Sequence, residues 1–184
     1  TWTQIKQACD EAKTNDFPAV CIPPSFVREA KTYLNGSDVK IATVIGFPFG
    51  YSTTSVKVLE TIEAVEEGAD EIDMVINIGW LKSQQYGKLE NEITKIKKAT
   101  GQGILNVIVE TGYLTEEEIR KVTKIVDRSG ADFIKTSTGY GPRGASMRDV
   151  EIFREESKRL KIKAAGGVRD RESALRFIEI GVTR

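Results

Sequence analysis

The chain contains no histidine. That absence removes the Ser-His-Asp and Cys-His arrangements of nucleophilic catalysis. It also removes the usual ligands of a catalytic zinc, since the only cysteines, Cys9 and Cys21, cannot build such a site alone. Two cysteines form no disulfide framework, so a reduced, cytoplasmic setting is the default expectation. No apolar run approaches the ~20 residues of a membrane span, and the N-terminus lacks the basic-then-apolar layout of a signal peptide. Neither sign of charge is in excess: 27 basic and 27 acidic residues cancel. Nothing in that balance draws the chain to nucleic acid or to an anionic membrane. Linkers, charge runs and low-complexity segments are missing too. One domain over residues 1–184 is therefore expected, long enough for a sizeable core. Acid–base chemistry falls to Lys, Asp, Glu or Tyr, and carboxylate-bound magnesium is compatible with the composition.

What is present is an alternation of strands and helices. Residues 3–15 carry Ile5, Ala8, Cys9 and Ala12 at helical spacing, with Thr3 as N-cap. A short apolar run at 18–24 is stopped by prolines, and a helix follows over 25–34 with Ser25 as its cap. Strands are expected at 39–47, 71–79, 104–111, 132–138 and 161–166, and helices at 53–68, 85–100, 115–130, 146–160 and 171–181. This is β-α repeated six times behind an extra helix. The strands are almost continuously apolar, as in a parallel sheet covered by helices. No glycine-rich dinucleotide fingerprint follows an early strand, which favours a (β/α) barrel over a doubly wound sheet. A closed eight-stranded barrel usually takes about 200–250 residues. This chain starts in a helix and reaches "GVTR" where a further strand is due. The expectation is a TIM (β/α)8 barrel without its first strand and most of its last.

In such a barrel, reactive side chains sit at the C-terminal ends of strands. Lys135, inside "FIKTST", and Lys163, inside "KIKAAG", occupy consecutive strands, which neighbour each other about 4.8 Å apart. If both point inward, mutual repulsion and desolvation act in the same direction and lower a lysine pKa. A neutral amine adds to carbonyls and forms a Schiff base. The bland alternative is a lysine that snorkels to the mouth or pairs with a carboxylate. Asp73 shares a strand face with Val75 and Asn77, and with two lysines nearby it is a candidate proton shuttle. Alone, a surface ion pair is its commoner fate. Glu110 fits a structural acceptor at a strand end. Gly166 and Gly167 stand between a strand and a helix, where backbone N–H groups suit a phosphate. "STGYGPRG" adds further glycine N–H groups and Arg143. Cys21 reads as core, and Lys95, Lys97 and Lys98 as a solvated helix face.

The segments "FIKTSTG", "KAAGGVRD", "EIDMVINIG" and "ATVIGFPFG", with "VETGYLTEEEI" and "STTSVKVLE", strongly resemble the deoxyribose-phosphate aldolase family, in order and over essentially the whole chain. The resemblance implies a class I aldolase on a TIM barrel, working without metal or other cofactor. It would cleave 2-deoxyribose 5-phosphate to acetaldehyde and glyceraldehyde 3-phosphate, and run in reverse. It implies Lys135 as the Schiff-base lysine, Lys163 as the residue that lowers its pKa and joins the proton relay, and Asp73 as the relay acid. Gly139, Gly166 and Gly167 match the groups that hold the phosphate. The implied partners are a phosphorylated sugar and aldehydes, with a homodimer or homotetramer left open. Three departures from the family pattern stand out. The strand bearing an Asp-His-Thr segment is not found before Thr1, the serine-bearing phosphate loop is not found after Arg184, and Asn106 stands where a lysine is usual. Competing expectations are a noncatalytic barrel fragment, and a phosphate-binding isomerase or decarboxylase without covalent lysine chemistry.

Overall fold

The computed structural model describes all residues, Thr1–Arg184. Six parallel strands, β1 (Ala19–Ile22), β2 (Lys40–Ile45), β3 (Glu71–Val75), β4 (Ile104–Ile108), β5 (Phe133–Lys135) and β6 (Lys161–Lys163), lie side by side in chain order. The helices are α1 (Trp2–Thr14), α2 (Val27–Tyr33), α3 (Thr54–Glu67), α4 (Ile78–Lys82), α5 (Tyr86–Thr100), α6 (Glu116–Arg128), α7 (Met147–Glu156) and α8 (Arg171–Glu179). None is long and apolar enough to cross a membrane.

Residues alternate across the strands, and the two faces differ in kind. Ile72, Met74, Leu105, Val107, Ile134 and Ile162 face the helices and join the main buried core with Leu89, Ile93, Ile119, Val122, Val150 and Phe153. Glu71, Asp73, Asn106, Lys135 and Lys163 occupy the other face. The sheet must be curled. Asp73 on β3 and Lys163 on β6 are three strand intervals apart, about 14 Å in a flat sheet. Their side chains nevertheless meet at 2.9 Å. The curled sheet is a (β/α)-barrel segment with a polar concave side. Beyond β6, Thr183 N–H donates to Ile162 O and Ala164 N–H to Arg184 O, so the C-terminal residues already run beside that strand.

Element ends differ from the sequence expectation where a side chain competes with the ladder. The third strand stops at Val75 instead of Gly79, because Asn77 caps α4 by accepting from Trp80 N–H at 3.1 Å. The fourth stops at Ile108, and Glu110 then takes a left-handed conformation with φ 53°. Ser25 is not a helix cap. It lies within a 3-10 turn, Pro24–Phe26, and α2 begins only at Val27. Thr1 rather than Thr3 precedes the first turn of α1. A capping box opens α6, with Thr115 and Glu118 exchanging hydrogen bonds.

Candidate active site

Lys135 and Lys163 are the last residues of β5 and β6 and are direct partners in the parallel register. Both aim at one carboxylate. Lys135 Nζ donates to Asp73 Oδ2 at 2.6 Å, and Lys163 Nζ donates to Oδ2 at 2.9 Å and to Oδ1 at 3.2 Å. Asp73 is fully buried, whereas the Lys135 and Lys163 side chains keep 10% and 17% of their surface open. The acid is sealed and the amines are reachable. Burial pushes the Asp73 carboxyl upward, but the two ammonium groups outweigh it and hold the acid below its ordinary value. Two cations on one carboxylate leave the trio an excess positive charge while both amines are protonated. Release of one proton leaves the trio without net charge.

One layer deeper, Glu71 is fully buried and receives the Arg184 guanidinium on both oxygens. Arg184 also lies 5.2 Å over the Phe133 ring. Asn106, also fully buried, pairs laterally with Asp73 and donates from Nδ2 to Glu71 Oε2 at 3.4 Å. Its Oδ1 has no hydrogen-bond partner. A cavity of about 520 Å³ lined by Cys21, Val44, Gly46, Phe47 and Tyr140 opens at the ends of β1 and β2. Cys21 is thus exposed rather than part of the core. Its neighbours Val20 and Ile22 point the other way, into the packed layer behind.

A model of the family described as DeoC/LacD family aldolase matches residues 2–181. The deoxyribose-phosphate aldolase of Clostridioides difficile (strain 630) is 52% identical over all of this chain and 84% of its own length. The chain belongs to the DeoC/LacD aldolase family. The deoxyribose-phosphate aldolase of Metamycoplasma arthritidis is also 52% identical, over 98% of this chain and 83% of its own. Among solved structures, QR15, an aldolase, superposes with a TM-score of 0.96 at 42% identity, covering 100% of this chain and 83% of its own. A deoxyribose phosphate aldolase from Aeropyrum pernix, described as tetrameric, gives 0.91 at 26% identity over 99% and 78%.

In this DeoC/LacD aldolase the remaining expected site residues sort cleanly. Gly139, Gly166 and Gly167 all have positive φ, 95°, 82° and 82°. They lie in the loops after β5 and β6, beside the two lysines in sequence. Gly166 packs so closely on Gly144 that a Cβ on Gly144 would come within 2.0 Å of the Gly166 carbonyl oxygen. Thr136 Oγ1 ties the loops together through Ala165 N–H at 3.0 Å. Arg143 sits between these loops and α7, donating to the Gly144 carbonyl at 3.1 Å. It is held by Asp149 at 2.5 and 3.0 Å and by the Thr111 carbonyl. That ion pair anchors the guanidinium to α7. Glu110 accepts from Thr138 N–H at 3.1 Å and from the Thr138 hydroxyl, bracing the end of β5. Lys95 and Lys98 are exposed as expected. Lys97 instead bridges Asp132 at 2.6 Å and the Gly103 carbonyl. Sequence reading missed the deeper Glu71–Arg184 layer and the buried Lys57–Glu92 pair. The first had a signal, since Glu71 shares strand parity with Asp73.

Proposed function

We propose that this chain is a class I deoxyribose-phosphate aldolase, with Lys135 the Schiff-base lysine, Lys163 its cationic partner and Asp73 the relay acid. The observation that carries the reading is one sealed carboxylate gripping two reachable amines on adjacent strand ends. Relatives 52% identical over nearly the whole chain are deoxyribose-phosphate aldolases, which supports 2-deoxyribose 5-phosphate as the substrate.

The chemistry follows from that arrangement. The Lys135 amine adds to the C1 aldehyde of the open-chain sugar, and loss of water leaves an iminium. Its positive charge then stands where an ammonium stood, and Asp73 stabilises it as before. The iminium withdraws electrons from the C2–C3 bond. The C3 hydroxyl gives its proton to the Asp73–Lys163 pair, C3 becomes the aldehyde carbon of glyceraldehyde 3-phosphate, and the C2–C3 electrons form an enamine on Lys135. The enamine carbon takes a proton back from the pair to become the acetaldehyde methyl group. Water hydrolyses the second iminium and frees the lysine. Backbone N–H groups around Gly139, Gly166 and Gly167 receive the phosphate, away from the reacting bond.

Borohydride reduction in the presence of acetaldehyde tests this directly. A stable ethyl adduct on Lys135, located by peptide mass spectrometry, is the expected result. An adduct on Lys163 with Lys135 unmodified would reverse their roles, and no adduct at all would remove the covalent mechanism.

A further inference from the structure

The concave side carries its charge in two layers, and one residue touches both. The upper layer is Asp73 with Lys135 and Lys163. The lower is Glu71 with Arg184. Asn106 of β4 is the side chain between them: beside Asp73 in the register, and bonded to Glu71 through Nδ2. It is uncharged, fully buried and half satisfied, because Oδ1 accepts nothing. An acceptor buried without a donor is costly and rare in a folded protein. Flipping the amide does not relieve it, since that turns Oδ1 onto the Glu71 carboxylate, acceptor against acceptor. With Nδ2 committed downward, Oδ1 is left to the layer that holds Asp73. With Asp73 ionised, both lysines turn toward its oxygens and neither donates to Oδ1.

We infer that Asn106 is a positioning residue for the proton relay: its Oδ1 accepts a hydrogen bond from the upper layer when Asp73 carries the proton, directly or through one water. This rests on the proposed aldolase mechanism, in which Asp73 cycles between carboxylate and carboxylic acid. In the carboxylate state Oδ1 is idle. In the acid state the new O–H has an acceptor already in place, so the acid is stabilised only at the moment when it must hold a proton for the enamine carbon. Lys135, Lys163, Asp73 and Glu71 are the ionisable groups from β5, β6 and β3 that face this position. Arg184 faces it from the C-terminal segment, and the Cys21 thiol on β1 lies on the same concave side.

The test separates the relay from adduct formation. Wild-type protein with acetaldehyde in D2O should incorporate deuterium into the methyl group and should be trapped by borohydride. Asn106→Leu, close to isosteric and without an amide, should be trapped at the wild-type level while its exchange falls about ten-fold or more. Exchange at the wild-type rate in this variant overturns the inference and leaves the aldolase reading intact. Failure of the wild type itself to be trapped or to exchange overturns both. Should the leucine variant not fold, Asn106→Asp decides. Its added carboxylate beside the trio should move the pH–rate profile upward by about half a unit or more, by favouring protonated amines. A profile that stays in place means that position 106 does not face the relay.

Discussion

Two places in this molecule bury a lysine against a carboxylate, and they are built to opposite ends. Behind the sheet, Lys57 of α3 donates to Glu92 of α5 at 2.9 Å and to the Val75 carbonyl at 2.8 Å, and both side chains are fully buried. On the concave side, Asp73 holds Lys135 and Lys163. The first pair is one-to-one and closed. Burial there pushes Glu92 up and Lys57 down, each toward its neutral form, against the mutual attraction of the two charges. The second is two-to-one and open at the amines. There the surplus cation wins, and Asp73 stays below its ordinary value. Burial of a charge therefore does not mark chemistry by itself. Stoichiometry and access do: a balanced, sealed pair has nowhere to send a proton, whereas an unbalanced trio at a strand mouth has both a spare charge and a route.

Lys135→Arg breaks the comparison most severely. The guanidinium can still pair with Asp73, so the ion cluster and the fold should survive. A group that stays protonated cannot add to an aldehyde. Cleavage of 2-deoxyribose 5-phosphate should fall by more than about 10³-fold, with borohydride trapping lost. Unfolding by urea should be close to that of the wild type, and a large loss of stability would show that the amine serves the fold instead.

Glu92→Leu makes the reciprocal break, in stability rather than in rate. It leaves Lys57 sealed with only the Val75 carbonyl as partner. Removing one member of a buried pair costs about 3–5 kcal/mol, read as a lower urea midpoint at unchanged slope. The sign of the pH dependence is fixed. Lys57 already has a folded pKa below its ordinary 10.5, and loss of Glu92 depresses it further. The unfolded chain then binds the extra proton between those two values, so the deficit narrows as pH rises toward 10.5. A deficit that does not change with pH would mean that Lys57 escapes to solvent.

The members of the working trio, though not of the closed pair, were legible in the sequence, and for a physical reason. A strand alternates its faces, so Asp73, Lys135 and Lys163 could be assigned to strand positions from hydrophobic runs alone. Adjacency of the two lysines followed from consecutive parallel strands. The bridging of both lysines by Asp73 was not legible, because it depends on how far the sheet curls across three strand intervals. The anchoring of Arg143 was not legible for a related reason: its ion pair with Asp149, six residues on, depends on how the loop folds back onto α7. Cys21 was misread because an apolar run does not say which of its faces looks into the concave side. The Lys57–Glu92 pair was missed, since only the structure shows Lys57 on the buried face of α3 with Thr61 and Ala64. Its partner lies 35 residues away on another helix, beyond what spacing reveals.

The smallest expected effect sharpens the comparison further. Replacing both members of the closed pair, Lys57→Met with Glu92→Leu, removes two charges at once and leaves neither stranded. Buried pairs exchanged for apolar residues of similar volume are often neutral or stabilising. Here the gain should sit at the low end, about 0–1 kcal/mol, because the Val75 carbonyl and the Thr54 hydroxyl each lose a partner. Methionine suits the space. The Lys57 chain runs so close beneath Gly46 that a Cβ there would meet Lys57 Cε at 2.7 Å, so the replacement must be slender and unbranched. Aldolase activity of the double variant should remain within about two-fold of the wild type, since nothing in the closed pair touches Asp73, Lys135 or Lys163. A large loss of activity at preserved stability would tie the two clusters together through Val75, which follows Asp73 by two residues on β3, and would end the division between a structural pair and a working trio.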